Sequence, residues 1–112
     1  MERMQTGLWG GDHIAMKVEG DTATVEYDCA HGTLNGPLEI DSNGKFSVSG
    51  TYISEYSGPV RGDQPLTRSV ARYTGWTDGK KMRLMVTLVK PNKVVGTFLL
   101  DRGRQGRVNK CK

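Results

Sequence analysis

The side chains best suited to acid–base or metal chemistry lie near the start of the 112-residue chain. They form a candidate cluster of Trp9, Asp12, His13, Asp28 and His31. Alternation of apolar and polar residues predicts that His13 begins one strand and His31 ends the next, with a turn at Gly20 between them. Because the two outer ends of a hairpin lie side by side, we expect this cluster to form at one rim of the fold.

Two imidazoles and two carboxylates carry the donor atoms needed to hold Zn²⁺ or to transfer protons. The spacing of Asp12, His13, Asp28 and His31 matches no metal-binding motif, and Asp and His side chains also fix turns by hydrogen bonding. We therefore favour a hydrogen-bonded rim, assign no catalytic residue or cofactor, and lean towards a non-enzyme. A metal-binding or hydrolytic site at these four residues is the alternative.

Cys29 is a potential nucleophile because His31, a potential base, lies two residues further on. The chain has two cysteines, Cys29 and Cys111. An even pair in a small chain is compatible with one disulfide, which here would close a loop of about 80 residues. The alternative is two unpaired buried thiols. A disulfide would leave Cys29 without a thiolate and would indicate an oxidising compartment.

Period-two alternation runs through nearly the whole chain, and it is clearest over residues 82–88. Asn43-Gly44 and Asp78-Gly79 are typical hairpin turns, because glycine readily adopts a positive φ. Residues 1–112 are therefore predicted to form one all-β domain, a small antiparallel meander barrel of seven to eight strands. A two-sheet β-sandwich is the alternative.

The formal net charge of +4 is concentrated at the C-terminus. Residues 101–112 hold five basic residues and one acidic residue, whereas residues 1–100 hold eleven of each. This basic C-terminal tail has no aromatic residue for base stacking, so we expect a solvated tail and consider nucleic acid an unlikely partner. No apolar run approaches the ~18 residues that a transmembrane helix needs.

Residues 57–68 contain two prolines and two glycines without any period, which predicts an exposed loop. The loop includes the tripeptide Arg61, Gly62 and Asp63. An exposed loop would display this adhesion-type motif, but three residues recur easily by chance. We favour the chance interpretation.

The segment Gly7-Leu8-Trp9 resembles the G-x-W signature of the first strand in the calycin superfamily, which includes lipocalins, avidins and small bacterial protease inhibitors. The resemblance implies a barrel fold. It also implies that Trp9 closes one barrel end near a basic residue of the last strand, here Arg102 or Arg104.

A broader part of the chain resembles short bacterial hypothetical proteins of unassigned function, which are often exported or lipid-anchored. The matching segments are Trp9–His13, Asp28–Gly32, Ala71–Gly75 and Val108–Cys111. This resemblance implies that the protein is exported, as a periplasmic, secreted or lipid-anchored protein. It also implies a Cys29–Cys111 bridge. The first four residues show no signal-peptide pattern, which leaves a cytoplasmic location open.

The function that these features favour is non-enzymatic binding. We expect a small molecule or a protein segment to bind at a barrel mouth or at the loops. Bulky interior residues such as Phe46 and Met82 would fill a short barrel and shift binding towards the loops. A secreted enzyme inhibitor, with a loop or the N-terminal segment in another enzyme's cleft, is the alternative.

Overall fold

A computed structural model describes residues 2–54, 68–89 and 92–108. Its strands are β1 (Glu2–Arg3), β2 (Gly7–Gly11), β3 (Ile14–Glu19), β4 (Thr22–Tyr27), β5 (Ala30–Asn35), β6 (Glu39–Ile40), β7 (Lys45–Ser54), β8 (Arg68–Thr77), β9 (Lys81–Leu88) and β10 (Lys93–Arg102). All except β1 and β6 form one closed antiparallel barrel in the order β2-β3-β4-β5-β7-β8-β9-β10, with β10 paired to β2. The predicted meander barrel is confirmed, and the two-sheet sandwich is not the fold.

The barrel follows directly from the alternation of the sequence, as β4 shows. Ala23, Val25 and Tyr27 of β4 are buried, and the residues before each of them are exposed. Each strand therefore directs one set of side chains into the interior and the other set outwards. Closure gives every barrel strand two neighbours and removes the exposed sheet edges.

Large side chains fill the barrel interior. Trp9, Met16, Tyr73, Met82 and Leu84 are all nearly or completely inaccessible to solvent. Such a packed interior is what the small diameter of an eight-stranded barrel favours. This arrangement agrees with the expectation that bulky residues fill the barrel.

The short strands β1 and β6 pair with each other outside the barrel. Just beyond β1, the Met4 amide donates a hydrogen bond to the Leu38 carbonyl over 2.8 Å. Met4, Leu38 and Ile40 are buried and belong to the hydrophobic core. The N-terminal segment is thus packed against the fold rather than extended from it.

The strand boundaries correct two predictions about the candidate cluster. His13 lies in the turn before β3 and does not begin the strand. β4 ends at Tyr27, and a turn at Asp28 and Cys29 leads into β5, so His31 lies within β5 rather than at the end of the preceding strand. Cys29 adopts a φ of 59°, in the left-handed region that non-glycine residues seldom occupy. No glycine marks this turn, which explains why the sequence pattern extended the strand through it.

The predicted loop at residues 57–68 is described only at its last residue, Arg68, which begins β8. Arg61, Gly62 and Asp63 lie outside the described residues.

Candidate functional site

His13 and Asp28 meet where two neighbouring turns lie side by side. Ile14 is paired with Tyr27 across β3 and β4, so the turn before β3 and the turn after β4 occupy the same barrel end. His13 Nδ1 lies 2.6 Å from Asp28 Oδ2. His13 has a φ of 70°, so both of these turns contain a non-glycine residue in the left-handed region. Their close contact holds two strained turns together at this rim.

Asp12, the neighbour of His13, pairs with the C-terminal part of the chain. Asp12 Oδ1 lies 3.4 Å from Nη2 of Arg104, and Nη1 of the same guanidinium lies 3.4 Å from Asp101 Oδ2. Arg104 therefore bridges a carboxylate of β10 and one in the connection between β2 and β3. Lys81 Nζ is a second cation near Asp101, at 3.8 Å.

Residues 103–108 form a C-terminal strap that lies against β2. The Arg107 amide donates to the Gly11 carbonyl over 3.0 Å, and the His13 amide donates to the Arg107 carbonyl over 2.7 Å. The strap approaches so closely that a Cβ atom on Gly10 would collide with its backbone. The predicted tail, residues 101–112, therefore begins within β10 and continues as a packed segment. Residues 109–112 lie outside the described residues.

Trp9 lies inside the barrel, with 1% of its surface exposed. Its indole Nε1 donates to the Gln5 carbonyl over 3.1 Å. Arg102 is its register partner on β10, and the Arg102 guanidinium donates to the Thr6 carbonyl over 3.2 Å. Arg102, rather than Arg104, is thus the basic residue of the last strand that is paired with Trp9.

His31 stands opposite Glu26 on one side and Ile53 on the other. Its neighbours Ala30 and Gly32 are buried, so His31 faces outward from the barrel. Within the described ranges, no group of three or more His, Cys, Asp and Glu side chains is arranged to hold a metal ion. The structure brings two of the four predicted residues, His13 and Asp28, into direct contact with each other.

Cys29 carries no free thiol, because no free cysteine occurs in the described part of the chain. Cys111 lies outside the described residues. The Cys29–Cys111 bridge accordingly remains a prediction.

An aromatic cluster occupies the interior close to the His13–Asp28 rim. The ring of Tyr27 lies 5.2 Å from that of Tyr52 and 5.7 Å from that of Phe98, centroid to centroid, and both contacts are tilted. The Tyr27 hydroxyl donates to the Tyr73 hydroxyl over 2.8 Å. Burial raises the pKa of Tyr27, Tyr52 and Tyr73 above the ordinary phenol value. All three phenols are neutral at pH 7, so the aromatic cluster itself carries no charge.

The outer face of β8, β9 and β10 differs from the rest of the surface. We call its exposed large apolar side chains, together with that of Val89 directly after β9, the apolar outer face, which consists of Val70, Trp76, Met85, Val89, Val94 and Leu99. In the described part of the chain, Leu8 is the one other large hydrophobic residue with a comparable exposure. Contiguous apolar exposure of this kind is typical of interaction sites, whereas single exposed hydrophobic residues are ordinary.

One end of the apolar outer face is a row of three residues across three strands. Trp76 is paired with Arg83, and Arg83 is paired with Leu99. The next row on the same face places Met85 between two threonines. Side chains paired in this way lie about 5 Å apart at Cβ, so they form one continuous surface.

A groove crosses this row and reaches the rim described above. Trp76, Arg83 and Leu99 line one part of the groove, and Asp12, His13 and Arg104 line the other. Asp12 and His13, which the sequence singled out for chemistry, are therefore located at the end of a surface groove. The groove joins apolar side chains to hydrogen-bonding and charged groups.

The cationic side chains that line the groove differ in whether they have a carboxylate partner. Arg104 and Lys81 have carboxylate partners. The Arg83 guanidinium, by contrast, has no ion pair or hydrogen bond with any other described residue. Arg83 is thus a cation between two apolar neighbours whose charge is not compensated by the described chain.

The sequence interpretation did not select Trp76, Arg83 or Leu99, because each belongs to a different strand. Only the register brings them together. One signal was available: Met85 and Leu99 are apolar residues in the outward phase of strands whose inward phase is already apolar.

Comparison of the chain with family models, curated proteins and solved structures found no match. A separate finding concerns helices: the described residues form none that is long and apolar enough to cross a membrane.

Proposed function

We propose that this protein is a non-enzymatic binding module that holds a protein segment on its apolar outer face. The observation that carries the proposal is the exposed row of Trp76, Arg83 and Leu99 at one end of that face, beside the groove. Trp76 exposes 42% of its surface and Leu99 68%. Burying such side chains on binding releases about 25 cal/mol for each Å² of apolar surface removed from water.

The shape of the surface favours an extended protein segment over a small molecule. The interior is occupied by its own core side chains, so a ligand binds outside the barrel. The apolar side chains are spread across β8, β9 and β10, whose backbones are spaced about 4.8 Å apart. A segment crossing these strands would follow one row and contact successive strands with successive side chains.

The N-terminal segment is a weaker candidate for contact with a partner. Met4 is buried, and its amide is hydrogen-bonded to Leu38. Insertion of this segment into the cleft of another enzyme would require it to leave the barrel first. This cost favours the apolar outer face over the N-terminal inhibitor model.

A peptide library displayed on phage and selected on the full-length protein tests the proposal. Enriched peptides are synthesised with a fluorescent label and titrated with wild type, Trp76→Ala and Leu99→Ser. Loss of one apolar anchor in a peptide interface costs roughly 1–2 kcal/mol, so we expect each substitution to weaken binding about tenfold. Leu8→Ser is the matched control, because Leu8 is 58% exposed but lies on β2.

Amide chemical shifts of the ¹⁵N-labelled protein locate the bound peptide independently of the substitutions. The expected result is a set of shifts confined to β8, β9, β10 and the adjoining groove. Peptides that bind Trp76→Ala and Leu99→Ser as tightly as wild type, or that shift residues elsewhere, would show that the site has been placed wrongly. A selection that enriches no binding peptide would also count against the proposal.

A further inference from the structure

We infer that the segment bound on the apolar outer face is acidic, and that Arg83 binds a carboxylate of that segment. This inference rests on the proposed function. Its basis is the position of Arg83 between Trp76 and Leu99 in the row that lines the groove. A guanidinium presents its donors in a planar fork that matches the two oxygens of a carboxylate.

Arg83 is the groove cation that is available for such a contact. Arg104 is engaged by Asp12 and Asp101, and Lys81 is also close to Asp101. A ligand carboxylate at Arg104 or Lys81 would have to compete with these resident carboxylates. At Arg83 it meets no competitor from the described residues, and apolar side chains on both sides exclude part of the screening water.

The charge of the strands supports an anionic partner more broadly. The described side chains of β8, β9 and β10 include five basic residues and one acidic residue, whereas those of β2 to β7 include two basic and three acidic ones. The three strands that carry the apolar outer face are thus also the positively charged strands. A partner complementary to both properties contains acidic and hydrophobic residues together.

The chemistry of the face favours a peptide over a nucleic acid or a lipid surface. Nucleic-acid strands stack on several aromatic side chains, whereas Trp76 is the one aromatic residue of the apolar outer face. The remaining apolar residues of the face are aliphatic or Met, which suit aliphatic and aromatic side chains of a peptide.

The test uses three synthetic peptides with the same Leu, Phe and Ser positions, in which the remaining positions are all Glu, all Gln or all Lys. Each labelled peptide is titrated with wild type, Arg83→Gln and Arg72→Gln at low and high salt. Arg72 is the matched control because it lies on the same outer face but donates to Ser47 over 3.0 Å. We expect the Glu peptide to bind wild type most tightly and to lose about tenfold in affinity with Arg83→Gln, as one charge-assisted contact implies. Arg72→Gln should leave its affinity within about twofold.

Reversing the charge at position 83 provides the decisive comparison. Arg83→Glu should reject the Glu peptide and gain affinity for the Lys peptide, a reversal that a folding defect cannot produce. Equal binding of the three peptides, with continued sensitivity to Trp76→Ala, would overturn the acidic partner and leave the proposed function standing. If no peptide depends on Trp76, the proposed function itself fails. Arg83-dependent binding to phosphatidylserine vesicles or to oligo-dT that exceeds binding to the Glu peptide would assign the face to a lipid surface or a nucleic acid instead.

Discussion

The Tyr27 hydroxyl donates a hydrogen bond to the Tyr73 hydroxyl over 2.8 Å inside the barrel. Tyr73 in turn donates to the Thr51 carbonyl over 2.6 Å, so the two phenols form a chain that ends on backbone. Buried polar groups that are satisfied in this way stabilise a fold, whereas an orphaned one destabilises it. Burial raises the pKa of Tyr73 to about 12, and it also raises the pKa of Tyr27.

The raised pKa of Tyr73 predicts that stability is lost in alkaline solution. An unfolded tyrosine ionises near pH 10, whereas folded Tyr73 keeps its proton to about pH 12. Between these values the unfolded state binds fewer protons, so the free energy of unfolding decreases as pH rises. Below pH 10 this contribution is fully present. Urea unfolding followed by circular dichroism from pH 8 to pH 11.5 should show a plateau and then a decline.

Tyr73→Phe tests which group causes the decline. The variant should be less stable at pH 8 by about 1–3 kcal/mol, because the Tyr27 hydroxyl loses its acceptor. Its decline above pH 10 should also be shallower than that of wild type. Tyr52→Phe is the control at pH 8, since no described residue accepts a hydrogen bond from Tyr52 and little stability should be lost. An unchanged alkaline slope in Tyr73→Phe would contradict the assignment.

The ring of Tyr73 has space in the barrel because two neighbouring positions are glycine. A Cβ atom on Gly32 would lie 2.6 Å from the Tyr73 hydroxyl, and one on Gly50 would lie 2.9 Å from the Tyr73 ring. Both would also collide with backbone carbonyls of adjacent strands. We therefore predict that Gly32→Ala and Gly50→Ala each destabilise the fold by about 2 kcal/mol or more, as overpacking does.

Gly20→Ala is the control for these glycine substitutions. Gly20 has a φ of 59° but nothing within 4 Å of an added Cβ, so its cost is limited to the strain of the left-handed conformation. That strain is about 1 kcal/mol. Thermal unfolding of the three variants should rank Gly20→Ala as the mildest. Equal melting temperatures for Gly20→Ala and Gly32→Ala would mean that the packing around Tyr73 imposes no constraint.

The barrel could be predicted because the alternation of apolar and polar residues along each strand is a local pattern, and it remains when the strands close into a barrel. Residues 82–88 alternate in the sequence, and Met82, Leu84 and Val86 are buried in the structure. The turns at Gly44 and Gly79 were equally visible, and both glycines have a positive φ. The β4–β5 turn was missed because Asp28 and Cys29 carry no glycine or proline signal.

The candidate site was only partly predictable, for a physical reason. Asp12 and His13 are adjacent in sequence, and their chemistry is evident from residue type alone. Trp76 and Leu99 lie 23 positions apart in the chain, and only the registers of β8 with β9 and of β9 with β10 bring them into one row. The register of each strand pair depends on the whole closed barrel, so it cannot be predicted from one strand at a time.

A second pH dependence is expected at the acid end, from the β8–β9 turn. The Asp78 carboxylate accepts hydrogen bonds from the Lys80 and Lys81 amides at 2.8 Å each, and the bond from Lys81 contributes most to lowering its pKa. A lowered folded-state pKa stabilises the protein above the unfolded value, near pH 4, and this contribution is lost as pH falls through the folded value. Asp78→Asn keeps an acceptor oxygen but does not titrate. Its unfolding free energy should therefore decrease less than that of wild type between pH 5 and pH 2, and an identical acid profile would refute the assignment.

The cysteine pair gives a prediction that also bears on location. If Cys29 and Cys111 form a bridge, intact protein denatured with an alkylating reagent should gain no adduct, and the same protein treated first with a reductant should gain two. This result would support an oxidising compartment and hence export. Two adducts without the reductant would exclude the bridge. Cys29→Ser/Cys111→Ser provides the control for non-specific alkylation.

The C-terminal strap should depend on the absence of a side chain at Gly106. A Cβ atom there would lie 2.5 Å from the Ala15 Cβ and 2.8 Å from the Ala15 Cα, so Gly106→Ala cannot keep the strap in place. The Arg107 amide bonds to β2 and the His13 amide, in the turn before β3, bonds to the strap, and both bonds should be lost. Hydrogen exchange measured by NMR should become at least about tenfold faster at these two amides, because local opening then costs less free energy. Amides of β9, in the barrel wall, should exchange as in wild type.

Gln105→Ala is the matched control, since Gln105 is exposed and its neighbours in the strap are unchanged. Continued protection of the His13 and Arg107 amides in Gly106→Ala would show that the strap tolerates the methyl group and is not held by close packing.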